Sequence, residues 1–127
     1  MKKAIIFLCI FISAINCKAQ KKEFILLGKW KAVESIDSDG AKKFRSKIEN
    51  GNELIFEKGN IVIDNLKNKG KYQISKDRLH IIFPKKELFY FYHQYENDSE
   101  KMSLDPATAD YKIMCDEGCS TIYQKIK

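Results

Sequence analysis

The chain has 127 residues, a net charge of +6, 44% apolar residues and 31% charged ones. With residues 1–19 set aside, 20–127 make about a hundred residues, ordinary for one domain with one core and too few for two. Lys2, Lys3 and Lys18 fall outside that domain, so half of the net charge leaves with them. The lysines that remain, such as Lys42-Lys43, Lys67, Lys69, Lys71 and Lys85-Lys86, alternate with acidic residues and form no single stripe, which argues against nucleic-acid binding.

Met1-Lys2-Lys3 is a cationic start followed by the run Ala4 to Ile15, apolar apart from Ser13. At the helical rise that run reaches only about 18 Å, well short of a ~30 Å hydrocarbon slab. It is apolar all round rather than amphipathic, so an export signal fits better than a core helix or a stable membrane span. Two processing routes follow. Cys17-Lys18-Ala19 sets small residues three and one before a cut at Gln20, giving a soluble periplasmic or secreted product. Alternatively Ala14-Ile15-Asn16-Cys17 acts as a loose lipobox, and a lipid on Cys17 anchors the protein in the outer membrane, its only expected membrane attachment.

From Phe24 onward apolar residues alternate with polar ones at period two, the signature of strands. Lys29 to Ile36 is the first candidate strand, with Trp30 and Ala32 on one side, and Ser38-Asp39-Gly40 ends it. Phe44 to Ile48 is a weaker second. Leu54 and Phe56, the turn Lys58-Gly59-Asn60, then Ile61 and Ile63 read as a hairpin. Tyr72 and Ile74 follow, and Ser75-Lys76-Asp77 turns into Leu79, Ile81 and Phe83. Pro84 breaks the pattern because proline cannot donate to a central ladder. The run Leu88 to Tyr95 has aromatics on both faces, Met102 and Leu104 form a short strand ended by Asp105-Pro106, and Tyr111 to Met114 with Thr121 to Ile126 make a closing pair. The rhythm predicts an all-β antiparallel meander, closed as an up-and-down barrel of about eight strands or, alternatively, packed as a sandwich. Closure removes exposed strand edges.

Leu26-Leu27-Gly28-Lys29-Trp30-Lys31 carries a Gly-x-Trp where the first strand begins. With the meander behind it, the chain resembles the lipocalin-like exported proteins of bacteria. The resemblance implies a barrel in which Trp30 plugs the closed end, with Gly28 letting the chain bend in beneath it. It also implies an interior that either is just filled by side chains or takes one small apolar ligand. The candidate interior set is Trp30, Phe56, Tyr72, Phe83, Phe89 and Phe91, and this many large side chains in a small domain favours filling.

The two histidines, His80 and His93, are read on differently facing positions and make a poor metal pair. Asp105, Asp110, Asp116 and Glu117 lack the spacing of a calcium loop. No nucleophile and base, metal set or cofactor motif stands out, so neither an enzyme nor a cofactor is expected. Cys115-Asp116-Glu117-Gly118-Cys119 predicts a hairpin whose two cysteines face each other and form a disulfide in an oxidising compartment. The expected function is a non-enzymatic binding protein of the cell envelope for a small apolar ligand. The alternative is an inhibitor or immunity protein that meets an exported enzyme or toxin with outer aromatics such as Tyr90 and Tyr92.

Overall fold

A computed structural model describes residues 25–115 and 118–126. The expected cut before Gln20 and the alternative at Cys17 lie outside the described residues. Nine strands follow one another: β1 (Gly28–Ser38), β2 (Lys43–Lys47), β3 (Glu53–Glu57), β4 (Ile61–Asp64), β5 (Lys69–Ser75), β6 (Arg78–Phe83), β7 (Lys86–Tyr95), β8 (Asp98–Ala107) and β9 (Cys119–Ile126). Each of β3 to β8 pairs antiparallel with the next, and β9 pairs with β1, which itself pairs with β3. The sheet therefore closes into an eight-stranded antiparallel barrel with β2 as an extra strand, an architecture consistent with a lipocalin-like barrel.

Turn chemistry sets the register. Glu96 and Asn97, both at positive φ (52° and 56°), form the two-residue turn between Tyr95 and Asp98, the handedness that tight hairpins need. Lys76 at φ 58° does similar work between Ser75 and Arg78, and Gly59 with Asn60 between Glu57 and Ile61.

Strands β2 and β3 lie end to end along one edge of β1. Glu34–Ser38 pairs with β2 and Gly28–Lys31 with β3. Residues 48–52 bulge out between them, held by Ile48 N–H to the Val33 carbonyl and Ala32 N–H to the Asn52 carbonyl, both 3.0 Å. A Cβ on Gly51 would collide with the Ala32 carbonyl, so this close approach requires glycine. On the other edge of β1 the register with β9 shifts between Ala32 and Glu34, a bulge at Val33. Trp30 and Ala32 thus point inward, whereas beyond the bulge Glu34 and Ile36 point outward.

The core is the barrel interior. Trp30, Phe56, Val62, Leu79, Ile81, Met102 and Leu104 are the largest fully buried side chains, joined by Leu54, Tyr72, Phe83 and Tyr123. Phe56 and Tyr72 meet edge to face with ring centres 5.0 Å apart. Two expectations about the C-terminal third are corrected. β8 runs through Asp105-Pro106 to Ala107, and Ile113 forms a single bridge to Ala107 instead of a strand against β9. Pro106 is tolerated because the ladder with β9 ends at Leu104, and past that point this side of β8 meets only the short bridge at Ile113, where the Met114 N–H donates to the Pro106 carbonyl at 3.3 Å, so the missing N–H breaks no strand ladder.

Candidate functional site

Trp30 stands near the start of β1 and is fully buried in the barrel. Its indole Nε1–H donates to the Leu26 carbonyl at 2.8 Å. Lys125 lies with its ammonium 5.1 Å from the Trp30 ring centre and donates to the Ile25 carbonyl at 2.9 Å. Gly28, at φ +129°, lets the chain turn in against the Lys125 side chain. Sequence reasoning missed Lys125: its only signal is its position opposite Trp30 in the β1–β9 register.

Of the interior candidates, Trp30 is 0% exposed, Phe56 2%, and Tyr72 and Phe83 6% each. A cavity large enough for a ligand leaves open surface on the side chains that line it, and these four leave almost none. Phe89 and Phe91 belong to the other face, which corrects their expected inward position. In the β6–β7 register Leu79 faces Tyr90 and Ile81 faces Leu88, so Leu88, Tyr90 and Tyr92 pack against the core and the phenylalanines between them point out. The outward position expected for Tyr90 and Tyr92 is corrected by the same register. Burial, with Tyr123 as a neighbour, pushes the Tyr90 hydroxyl up to about 12. Burial also raises Tyr123, although the Asn52 side chain donates to its hydroxyl at 3.0 Å and opposes the shift.

The outward aromatics form a continuous cluster. His80 stacks on Phe89 at 4.4 Å and 11°, and Tyr111 meets Phe89 edge-on at 5.5 Å and Phe91 at 5.9 Å. The Arg78 guanidinium covers the Tyr111 ring at 4.7 Å. Tyr111 is held there by a turn in which its N–H donates to the Thr108 carbonyl at 2.8 Å and Thr108 N–H donates to the Lys112 carbonyl at 2.9 Å. Thr108 also bonds to the Asp110 carboxylate and keeps its carboxyl below the ordinary range. Tyr111 itself sits at φ 58°, a left-handed conformation that costs a bulky residue of order 1–3 kcal/mol. The turn and the aromatic contacts together hold it in that conformation.

Two clefts flank Tyr111. One, of about 520 Å³, is lined by Gln73, Arg78, His80, Phe89 and Tyr111. The other, of about 470 Å³, is lined by Asp77, Phe91, His93, Asp105, Tyr111 and Ile113. Ile74, which lines the first, and Ile113, which lines the second, are exposed. His80 and His93 prove to lie on the same outer face, opposite Phe89 and Ser103 in the ladder, which corrects the expectation that they face differently. His80 is 3.5 Å from Glu87, and Asp105 accepts from Ser103 and Ser120. Among the described residues no three His, Cys, Asp or Glu side chains converge on a metal-sized site.

Cys115 and Cys119 form a disulfide with Cα atoms 5.7 Å apart. The bond does not close a hairpin of two strands as expected. It closes a turn in which Gly118 N–H donates to the Cys115 carbonyl at 3.0 Å, and it returns the chain that carries Tyr111 to the start of β9. No protein-family model matches the chain, and a search of curated proteins finds no relative.

Proposed function

We propose that this is a non-enzymatic, exported binding protein that recognises a protein partner with the outer face of β6, β7 and the Tyr111 turn, and not with the barrel interior. One contrast carries the reading. Trp30, Phe56, Tyr72 and Phe83 are packed inside with almost no accessible surface, whereas Tyr111 is held in a strained backbone conformation on an outer aromatic cluster between two open clefts. Aromatic rings beside an arginine are the residue types that dominate protein recognition sites. Export rests on the residue 1–19 pattern and supplies the compartment in which the disulfide persists. A small apolar ligand in the barrel is the lesser reading, because the interior is already occupied by side chains.

The test is site-specific photocrosslinking in intact cells with a benzophenone amino acid at position 111, beside native mass spectrometry of the purified protein. The expected result is one discrete protein adduct, lost when Arg78 and Phe91 are both changed to Ala, and a native mass equal to the processed polypeptide. A tightly held small molecule without any protein adduct overturns it.

A further inference from the structure

The barrel has one open edge among the described strands. β2 pairs with β1 on one side and with no strand on the other. The ladder shows which of its backbone groups are left over. Ile48 N–H bonds to the Val33 carbonyl and Asp39 N–H to the Lys42 carbonyl at the two ends of this pairing. Hydrogen-bonded pairs recur at every second position of an antiparallel ladder, so Lys42, Phe44, Ser46 and Ile48 turn their backbone groups toward β1. Lys43, Arg45 and Lys47 turn theirs toward the open edge. The three outward-facing backbone positions therefore carry the three basic side chains, all on one face, and all five β2 residues are exposed. Arg45 is partnered by Glu34 and Glu96, each at 3.6 Å, and by the Tyr95 hydroxyl. Lys43 and Lys47 have no ion pair among the described residues.

An open edge of this kind is a template for another strand. A second copy of this chain is a poor occupant, because its matching backbone groups also belong to Lys43, Arg45 and Lys47. Every antiparallel register that pairs the two edges would set basic residues directly opposite basic residues, about 5.5 Å apart, an arrangement that destabilises a sheet. The same geometry favours the opposite charge. A strand with carboxylates at every second position places one against each of the three cations, while the residues between lie on the face of Phe44, which is 49% exposed.

We infer that β2 is a docking edge for an extended segment of a partner polypeptide with the pattern acid, apolar, acid, apolar, acid, added to the sheet by backbone pairing. This inference goes beyond the aromatic face and uses none of its residues, so either surface can fail while the other stands.

The full processed protein is titrated with the synthetic peptide Ser-Glu-Val-Glu-Val-Glu-Ser, and binding is followed by fluorescence anisotropy and by amide hydrogen exchange. The expected result is saturable binding that slows exchange at Lys43, Arg45 and Lys47 but leaves Phe44 and Ser46 unchanged. N-methylation at the peptide's Glu positions should abolish it, whereas N-methylation at its Val positions, which face away from β2, should not. K43E/K47E, which alters only exposed side chains, should weaken binding about tenfold and restore it for the Lys-for-Glu peptide. Binding that ignores the N-methylation pattern, no saturable binding, or a concentration-dependent dimer that protects the same amides each overturns the proposal.

Discussion

Tyr90 shows how a polar group is carried inside this barrel. Its ring belongs to the inner face of β7, beside Leu79 in the ladder, and its hydroxyl lies near Tyr123, whose own hydroxyl is bonded by Asn52. The interior therefore accepts tyrosine in its neutral form and resists the phenolate. The consequence for stability follows from the direction of the shift. An unfolded Tyr90 loses its proton near 10 and the folded one near about 12, so the folded state holds the extra proton between these values. Its contribution is fully present below pH 10 and falls as pH rises through 12, by about 2–3 kcal/mol in all. Tyr123, raised in the same direction, adds to the loss. Thermal melting measured from pH 9 to 12 should show a steep decline over that window, and Tyr90→Phe should flatten it. A melting temperature that stays level to pH 12 in the unaltered protein would show that the Tyr90 hydroxyl is solvated. Where the chain enters β1, the Lys125 ammonium lies against the Trp30 ring face and donates to the Ile25 carbonyl, an arrangement open only to a long cationic side chain.

Among the elements, the segment between β8 and β9 departs furthest from a regular meander. It leaves β8 at Ala107, turns at 108–112, bridges back at Ile113, and is tied to the start of β9 by the Cys115–Cys119 bond. The disulfide closes a very short loop, so its chain-entropy contribution is small, about 2 kcal/mol. Changing both cysteines to Ser should lower the unfolding free energy by about that amount without abolishing the fold, because the core is built from other elements. It should also weaken photocrosslinking from position 111, since one of the two ties on the Tyr111 turn is lost. A loss of folding would place the segment in the core instead. Most of the strand order was legible in the sequence, because alternation and turn residues are local: Leu54 and Phe56 against Ile61 and Ile63 needed nothing beyond their own hairpin. β7 was not. Leu88 to Tyr95 is apolar on both faces, so its own pattern cannot tell inside from outside. That choice is made by Leu79 and Ile81 of β6, which are fully buried, and by Tyr111, which covers the outward phenylalanines from a distant point in the chain. The outer cluster was illegible for the same reason, since Tyr111 reads as an ordinary strand residue until the turn at 108–112 is seen. The bulge at Val33, which sends Ile36 outward, also has no local signal in the strand's composition.

In the molecule as a whole, the closed sheet encloses a packed core, and the proposed recognition uses the outside. Leu79, Ile81, Met102, Val62 and Trp30 have no accessible surface, which means that no water-sized space adjoins them. Such an interior is close-packed, so removing a large side chain creates a hole that the barrel closes only in part. Leu79 is the best probe. It lies between Ile74 and Tyr90 in the ladder, is fully buried, and is no part of the outer cluster or of the β2 edge. Leu79→Ala should cost about 2–5 kcal/mol, a large share of the stability of a domain this size, while leaving the β spectrum unchanged in the cold. The hole should be apolar and dry, and holes of this kind accept small apolar molecules. Benzene should therefore raise the melting temperature of Leu79→Ala and leave that of the unaltered protein where it was. Equal stabilisation of both proteins by benzene would mean that the natural barrel already holds an open apolar space, and would move the proposed binding to its interior.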